Sequence, residues 1–367
     1  MSRRLLAIAL SVTAAAACGG DAEPAATAAP TVGATAPEVT TGSTTATAAP
    51  PPTTAPVTEV STSSTTATTA PPTTTAPVAP TVDELLASGR VLNLAHAGGD
   101  QDHPHSTMYA YRESVAAGAD VLELDVQLTA DGYVIVQHDA TTAKTTEHDL
   151  VVADADLATL QALDNAYWWS PECWPCHDLA ADAYPFRGVR TGDVAPPDGY
   201  TPDDFRIITL DELDAAFPTM PFDIEIKGDG DAGRAVADAL ASDLNELGRF
   251  DSTVVASFDS DVIQYFHTLA PEVAVSPGVN EMAAWLLNGA ELASHYRIVQ
   301  VPPFYDELEV LTPEHLAIAR EAGVAVWVWP NDAATQENEA FYRELVALGI
   351  DGIIAGRPAQ ATAAIAG

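Results

Sequence analysis

GADVLELDVQLTADGYVIVQHD, residues 118–139, contains two apolar runs joined by an Asp-Gly turn signal, and charged residues interrupt the first run. Alternate positions of a strand face opposite sides, so Glu123 and Asp125 share one face while the leucine and valine residues share the other. Unpaired carboxylates are costly to bury, so this face requires a cation or strong hydrogen-bond donors. The second run ends at His138, a titratable group at the end of a candidate strand. We therefore expect this stretch to combine a buried strand with part of a polar site.

The chain on both sides alternates short apolar runs with helical patterns, which is typical of βαβ units and a parallel sheet. Nine runs qualify as strands: VLNLAH, DVLELDV, YVIVQHD, FDIEIK, TVVASF, VAVSPG, RIVQVPP, VAVWVWP and IDGIIAG. Residues 81–367 have the length of a (β/α)8 TIM barrel. A barrel of this kind has eight strands, so we expect one run to be irregular or to lie outside it. Helix signals agree, because Thr209 and Glu212 form a capping box and Pro313 stands at a first helical position.

The first 80 residues lack the composition of a packed domain. Residues 1–18 have a basic start and an apolar run too short to span a bilayer, which indicates an export signal. The run ends at AAAAC, which resembles a lipoprotein cleavage site with Cys18 as the lipidated terminus; cleavage after an Ala-x-Ala site is the alternative. Residues 19–80, rich in Thr, Ala and Pro, predict a disordered stalk that is a candidate for O-glycosylation. We expect an exported domain, lipid-anchored to the outer face of the cytoplasmic membrane or secreted.

The charge of residues 81–367 restricts their partners. Their 13 basic and 48 acidic side chains leave a net charge of −35. Such a field repels nucleic acid and anionic lipid headgroups, so we expect neither as a partner, although adaptation to salty surroundings explains the acidity equally well. We predict no protein partner and assign membrane contact to the lipid anchor alone. Because salt screens exposed charges beyond about 8–10 Å, an anionic small-molecule substrate remains compatible if its binding groups are local.

Cysteines other than Cys18 occur in one short motif. Cys173 and Cys176, in PECWPCHD, are expected to form a disulfide in an oxidising compartment. With His177 the same letters match the attachment pattern of a c-type haem, which is the alternative. The motif belongs to a loop of residues 165–206, rich in Trp, Pro, Asp and Gly. A loop of this length is usually functional or disordered, and its position after a strand predicts that it covers the mouth of the barrel.

A second charged strand makes the site pattern specific. FDIEIKG, residues 222–228, repeats the alternation of the opening stretch and adds Glu225 and Lys227. His96 ends the strand NLAH, as His138 ends another. The C-terminal ends of barrel strands meet at one mouth, so we expect these side chains to converge there. Carboxylate oxygens favour a hard cation, with Ca²⁺ the first choice outside the cell and Mg²⁺ the second.

Several motifs together resemble the glycerophosphodiester phosphodiesterase family of TIM barrels. They are LAHAGG, GADVLELDVQLTADGYVIVQHDATTAKTTE, FDIEIKG, VVASFDSDVI, VWVWPN and GIDGIIAGRP, and they span about residues 91–358. The resemblance implies a phosphoric diester hydrolase that releases glycerol 3-phosphate and an alcohol with the help of a divalent metal ion. It implies that His96 and His138 act as general acid and base. It also implies three metal ligands and one phosphate-binding lysine, which are Glu123, Asp125, Glu225 and Lys227.

Two positions depart from the family pattern. Arg usually follows the first motif histidine, where this chain has Ala97, and Pro-Glu-Asn-Thr is replaced by PHST with His105. Loss of an arginine removes a bidentate phosphate clamp, so the motifs define the reaction type more closely than the substrate. We expect His105 to lie in a surface turn rather than to contact phosphate. Trp327 is assigned to the substrate pocket, where aromatic rings bind a cationic headgroup; core packing is the alternative for either Trp327 or Trp329.

Three other functions fit parts of the pattern. A phospholipase D-like or sphingomyelinase D-like enzyme resembles this barrel and acts on intact lipids, and it would show an apolar rim at the mouth. A tethered binding protein that has lost catalysis fits the replacements Ala97 and His105. A transition-metal hydrolase would use His96 or His138 as ligands and would require zinc. Retention of both histidines and all three carboxylate ligands favours an active enzyme.

Overall fold

The computed structural model describes residues 78–367 of the chain. The predicted signal peptide of residues 1–18, with Cys18, lies outside the described residues, as does the stalk up to residue 77. Among residues 78–367 no helix combines the length and the apolar character needed to cross a membrane.

The described residues form eleven strands and ten α-helices. The strands are β1 (Leu92–Ala95), β2 (Val121–Leu128), β3 (Val134–Val136), β4 (Phe222–Ile226), β5 (Thr253–Ala256), β6 (Ala274–Val275), β7 (Ile298–Val301), β8 (Phe304–Tyr305), β9 (Leu308–Glu309), β10 (Ala325–Val328) and β11 (Gly352–Ala355). The helices are α1 (Val82–Ala87), α2 (Met108–Ala116), α3 (Leu157–Gln161), α4 (Leu210–Ala216), α5 (Gly230–Leu247), α6 (Ser260–Leu269), α7 (Val279–Asn288), α8 (Pro313–Ala322), α9 (Glu339–Leu348) and α10 (Pro358–Ala366).

Eight parallel strands make a nearly closed barrel. Their hydrogen-bonded order is β6-β5-β4-β2-β1-β11-β10-β7. At the seam between the two end strands, the Ser276 hydroxyl that follows β6 accepts a hydrogen bond of 3.2 Å from the Gln300 N–H of β7. The predicted (β/α)8 barrel is therefore confirmed.

The surplus strand among the predicted runs is β3. It pairs antiparallel with β2, with Val126 opposite Val136, and the two strands form a hairpin. Its turn contains Gly132 at φ 87°, a left-handed conformation that glycine adopts without steric penalty. The expectation that His138 stands at the C-terminal end of a barrel strand is therefore wrong. The hairpin instead returns His138 to the mouth, where the C-terminal ends of the barrel strands meet.

Local sequence signals account for where several helices begin. The Thr209 hydroxyl accepts a hydrogen bond from the Glu212 N–H, and the Glu212 carboxylate accepts one from the Thr209 N–H, so the predicted capping box is confirmed. Pro313 is the first residue of α8, as predicted. The N–H at the first helical position has no intrahelical acceptor, so proline, which lacks an N–H, loses no hydrogen bond there.

The barrel interior changes from apolar to acidic along the strand direction. Outward side chains of β2 and β4, such as Leu124 and Ile224, pack in the largest apolar core. Inward side chains near the strand beginnings form a second apolar cluster with α1, comprising Val82, Leu85, Leu92, Leu94, Val121, Val254, Ile298, Trp327 and Ile354. Beyond Val121, the next inward residues of β2 are Glu123 and Asp125. The apolar half supports the barrel, and the acidic half opens at the mouth.

Replacing Trp327 by alanine should destabilise the barrel. Trp327 has no exposed surface, and a Cβ on Gly352 would come within 2.7 Å of its ring, so the indole fills the interior tightly. We expect Trp327→Ala to lower the free energy of unfolding by about 3–5 kcal/mol, measured by chemical denaturation. The control is Tyr133→Ala at the exposed hairpin turn, expected to change it by less than about 0.5 kcal/mol. An effect of Trp327→Ala no larger than the control's would contradict a packing role.

Candidate active site

Two rows of carboxyl groups line the inner faces of β2 and β4. The parallel register places Glu123 beside Asp223 and Asp125 beside Glu225. Burial raises the pKa of Asp223 to about 8 even though its carboxyl accepts a hydrogen bond from Gln300. Burial, and next the charge of Asp125, also raise the pKa of Glu123 well above its usual value. The site is therefore strongly acidic. Its deeper row, Glu123 and Asp223, holds its protons more tightly than carboxyl groups in water.

Lys227 supplies positive charge to the outer row of carboxylates, Asp125 and Glu225. Its Nζ lies 2.9 Å from Asp125 Oδ1 and 2.7 Å from Glu225 Oε1. Burial alone would raise the pKa of Asp125, but the charge of Lys227 and those of the three nearby histidines together lower it. Burial would likewise lower the pKa of Lys227, but the two carboxylates raise it. Asp125 and Lys227 therefore form a buried, charged pair.

The predicted metal ligands do not surround a common point in this structure. Within residues 78–367 no three His, Cys, Asp or Glu side chains are arranged to hold a metal ion, and the Lys227 ammonium lies between Asp125 and Glu225. The donor set nevertheless fits a hard cation, since Glu123, Asp125 and Glu225 offer only oxygen. Asp125 Oδ2 is buried and has no hydrogen-bond partner within residues 78–367, so this oxygen is available to a ligand.

His96 lies in a tight turn directly after β1. Ala97 has φ 45° and Gly99 has φ 81°, and the Ala97 N–H donates a hydrogen bond of 2.6 Å to Glu123 Oε2. His96 Nδ1 lies 3.2 Å from Asp100 Oδ1. Burial would lower the pKa of His96, but Asp100 and the carboxylates of β2 raise it well above its usual value. The turn therefore presents an imidazole that is oriented and readily protonated.

His138 is held in the same way as His96. The Gln137 N–H donates a hydrogen bond of 2.9 Å to the Asp125 carbonyl oxygen, which continues the hairpin and fixes the backbone beside β2. His138 Nδ1 contacts Asp139 Oδ1. Burial would raise the pKa of Asp139, but the hydrogen bond to His138 and the charge of Lys144 lower it to about 2. Both histidines thus have Nδ1 on an aspartate, which leaves Nε2 for proton transfer.

His105 belongs to the site, and the expectation of a surface turn is wrong. It is 2% exposed, and its Nε2 lies 4.0 Å from the unpartnered Asp125 Oδ2. Its ring centroid lies 6.0 Å from that of His138. Burial, and next the charge of Lys144, lower the pKa of His105 to about 3. The only sequence signal was its departure from the family motif, because a single residue in a turn has no periodicity to show its direction.

The loop of residues 165–206 packs over the mouth. The Trp169 Nε1–H donates a hydrogen bond of 3.0 Å to the Asp100 carbonyl, beside the His96 turn. The Trp168 Nε1–H donates one of 2.8 Å to the carbonyl of Thr146, in the segment after His138. The tryptophans of the loop therefore connect it to the segments that carry both histidines.

The cysteine motif forms part of this loop. The structure joins Cys173 and Cys176 by a disulfide, so each sulfur is bound to the other rather than to a haem. The His177 ring stacks on Trp168 with centroids 4.4 Å apart. Trp174, between the two cysteines, has its ring centroid 6.0 Å from that of His105. The motif therefore supplies an aromatic wall to the mouth.

The structure contradicts the assignment of Trp327 to the substrate pocket. Trp327 is fully buried in the apolar cluster near the strand beginnings, deeper in the barrel than the mouth. Trp329, two residues later on the same face, is half-buried and lies 5.7 Å from the ring of Phe258. Sequence alternation gives the face of a strand but not the depth along it, so it did not distinguish the two tryptophans.

A further buried carboxyl, Glu337, lies behind Asp100. It accepts hydrogen bonds from the Tyr342 hydroxyl and, at 3.0 Å, from the Gly356 N–H. A Cβ on Gly356 would come within 2.6 Å of Asp100 Oδ1 and 3.0 Å of Glu337 Cδ, so only glycine leaves room for both carboxyl groups. Burial, and next the charge of Asp100, raise the pKa of Glu337 to about 7. Sequence analysis missed this residue because a loop glutamate carries no signal of burial.

Comparison with protein families gives one match over most of the chain. The model of the glycerophosphoryl diester phosphodiesterase family matches residues 96–360. A glycerophosphodiester phosphodiesterase of Caldanaerobacter subterraneus subsp. tengcongensis is 24% identical over 271 residues, covering 73% of this chain and 95% of that protein. Human lysophospholipase D GDPD3 is 27% identical over 182 residues, covering 50% of this chain and 49% of that protein.

Solved structures share the fold. A phosphodiesterase of Oleispira antarctica, in complex with the product sn-glycerol-3-phosphate, matches with a TM-score of 0.57 and 18% identity. The match covers 77% of this chain and 99% of that chain. At this identity the likeness concerns the barrel architecture alone.

Replacing Glu337 by glutamine should remove a pH-dependent contribution to stability. The folded-state pKa of about 7 exceeds the ordinary 4.5, so the contribution is full below about pH 4.5 and is lost as the pH rises through about 7. Relative to Glu337→Gln, the wild-type melting temperature should therefore fall as the pH rises over this range. Each kcal/mol lost from the free energy of unfolding lowers it by about 2–4 °C. The exposed Glu344→Gln on α9 is the control and should keep the wild-type pH profile. Parallel profiles of wild type and Glu337→Gln would contradict this role.

Proposed function

The chain belongs to the glycerophosphoryl diester phosphodiesterase family, and on that premise we propose that it hydrolyses glycerophosphodiesters to glycerol 3-phosphate and an alcohol. The chain is a phosphoric diester hydrolase. The observation that carries the substrate assignment is the mouth itself, where two histidines, each oriented by an aspartate, face a row of carboxylates and Lys227. This arrangement combines proton transfer with compensation of phosphate charge.

We assign a divalent cation to Glu123, Asp125 and Glu225, with Ca²⁺ the first choice and Mg²⁺ the second. The unpartnered oxygen of Asp125 and the all-oxygen donor set support this assignment. When bound, the cation supplies positive charge to the phosphoryl oxygens. Lys227, released from one of its carboxylates, adds a hydrogen-bond donor to the same anion.

Proton transfer is assigned to the Nε2 atoms of the two histidines. The carboxylates around His96 together outweigh its burial and raise its pKa, which favours the protonated imidazole. We therefore assign His96 as the general acid that protonates the leaving alkoxide oxygen. His138 is assigned as the general base that takes the proton from the attacking glycerol hydroxyl next to the phosphate. Water then opens the resulting cyclic phosphate to give glycerol 3-phosphate. Asp100 and Asp139 keep both rings in place through Nδ1.

The enzyme should release glycerol 3-phosphate from glycerophosphocholine and glycerophosphoethanolamine in a metal-dependent manner. We expect release with added Ca²⁺, loss of release with excess chelator, and recovery when the cation is restored. Undiminished release in chelator would contradict the metal assignment. No release from either substrate, while calorimetry shows that the cation is bound, would contradict the substrate assignment.

Variants within the same measurement separate the two roles. His138→Ala should lower kcat by about 10²- to 10⁴-fold, the usual contribution of a general base, and leave cation binding unchanged in calorimetry. Glu123→Gln should instead weaken cation binding in the same calorimetric measurement. The exposed His295→Ala, whose ring stacks on His267 away from the mouth, is the histidine control and should keep full activity. Near-full activity of His138→Ala would contradict the acid-base assignment.

An exposed apolar rim favours a second candidate substrate, a single-chain lysophospholipid. Phe258 is 47% exposed, and Lys227 Nζ lies 5.9 Å from its ring centroid, so this apolar surface borders the catalytic groups. Phe304, 44% exposed on the β8–β9 hairpin after β7, is a second exposed ring on a loop after a barrel strand, and its carbonyl accepts a hydrogen bond of 2.7 Å from Asn331. The lysophospholipase D activity named for the human relative agrees with such a rim.

A rim that binds an acyl chain should matter for lipids alone. The double variant Phe258→Ser/Phe304→Ser should raise KM for lysophosphatidylcholine and leave KM for glycerophosphocholine unchanged. Leu287→Ser, equally exposed on α7, is the control for loss of surface apolarity and should affect neither. Equal effects on both substrates, or no wild-type turnover of lysophosphatidylcholine, would eliminate this candidate.

A further inference from the structure

Lysine is rare in this chain, and both of its lysines lie at the barrel mouth. The 367 residues include 13 arginines but only two lysines, Lys144 and Lys227. The charge of Lys227 is shared by two carboxylates, at 2.9 Å and 2.7 Å. Lys144 makes no ion pair with any carboxylate in residues 78–367; its ammonium instead lies 5.8 Å from the centroid of the Trp174 ring. Lys144 is therefore a half-buried cation that lies within Coulombic range of Asp139 but forms no ion pair with it.

A continuous series of rings connects Lys144 to the reacting groups. The Trp174 ring centroid is 6.0 Å from that of His105, and the His105 centroid is 6.0 Å from that of His138. On its other side, His105 Nε2 faces Asp125 at 4.0 Å. The ammonium of Lys144 therefore borders the mouth beside Trp174 and His105, at the end of a flexible side chain.

Hydrogen bonds hold the backbone around Lys144, whereas the Lys144 ammonium makes no hydrogen bond within residues 78–367. The Lys144 carbonyl accepts a hydrogen bond of 3.3 Å from His177 Nε2. The neighbouring Thr145 hydroxyl accepts one of 3.1 Å from the Gln137 amide, and the Thr146 carbonyl accepts one of 2.8 Å from Trp168. The side chain makes only the aromatic contact, so its ammonium can move from the ring to an anion without breaking an ion pair.

An anionic substrate needs such a group at this site. The mouth carries four carboxyl groups on β2 and β4, and position 97 contributes only a fully buried methyl group. We propose that Lys144 binds a non-bridging oxygen of the substrate phosphodiester, as the second cation of the phosphate site beside Lys227. This inference rests on the proposed function and adds a binding residue to it. Lys144 acts on the phosphate and therefore on every substrate alcohol alike.

The scarcity of lysine makes a direct measurement practical. Reductive methylation of the full chain with ¹³C-formaldehyde labels Lys144, Lys227 and the terminal amine, and the resonance missing in Lys144→Arg belongs to Lys144. Titration with inorganic phosphate and with sn-glycerol 3-phosphate, at constant ionic strength set by chloride, should shift the Lys144 resonance saturably. A Lys144 resonance that stays in place while calorimetry shows phosphate bound would overturn the proposal, as would the absence of phosphate binding.

Binding and turnover of unlabelled variants test the same contact. Lys144→Met should weaken binding of glycerol 3-phosphate about tenfold and raise KM for glycerophosphocholine and glycerophosphoethanolamine by the same factor, the effect of one charge-assisted hydrogen bond. Lys144→Arg should retain most of the affinity. The charge-matched control is Arg234→Met on the exposed face of α5, which should change neither quantity. A Lys144→Met effect confined to one alcohol would place the contact on the leaving group and overturn the phosphate assignment.

The two levels of inference fail in different ways. Failure of the proposed function shows as wild-type protein that releases no glycerol 3-phosphate. Failure of the Lys144 inference shows as unchanged phosphate affinity in Lys144→Met, a readout that does not depend on turnover.

Discussion

The parallel register of β2 and β4 is the constraint on which the site depends. It places Glu123 beside Asp223 and Asp125 beside Glu225 inside a barrel, where each carboxylate lacks most of its water. Such an arrangement is stable only if donors and cations meet the carboxyl groups at short range, since burial of unpaired charge is strongly unfavourable. Lys227 between the outer pair, the Ala97 N–H on Glu123 and the Gln300 amide on Asp223 are those partners. The apolar half of the interior provides the stability that this acidic half does not.

Both histidines reach the mouth through backbone that departs from the regular barrel. Ala97 adopts φ 45°, a conformation that non-glycine residues take only when their surroundings determine it, and its N–H is thereby directed to Glu123. The β2–β3 hairpin extends β2 beyond its barrel partners and then returns, so His138 comes back beside the strand that bears the carboxylates. The charged groups are therefore supplied by the neighbouring strands β2 and β4, and the two histidines by irregular segments beside β2, so the distances between them are set locally.

Sequence patterns predicted the barrel and most residues of the mouth, but not which strands pair or how deep each side chain lies in the barrel. Alternation along β2 and β4 identified the inward carboxylates because a strand has a period of two. The same period is blind to pairing, so it does not show which of the nine predicted runs lies outside the barrel, and that run is the antiparallel β3. It is also blind to depth, which is why Trp327 was placed in the pocket that Trp329 approaches. His105 and Glu337 lie in irregular segments, where direction and burial are set by tertiary contacts alone.

The acidic surface and the lysines of the mouth act over different distances, and this difference decides how an anion can bind. The net charge of −35 on residues 81–367 repels an anion at long range, but salt screens that repulsion beyond about 8–10 Å. Inside the mouth, screening is weak and individual partners dominate, so the balance is set by Lys144, Lys227 and any bound cation against the carboxylates. A site of this kind gains little from electrostatic steering. Its selectivity for a phosphodiester must therefore come from short-range contacts made after the substrate has entered.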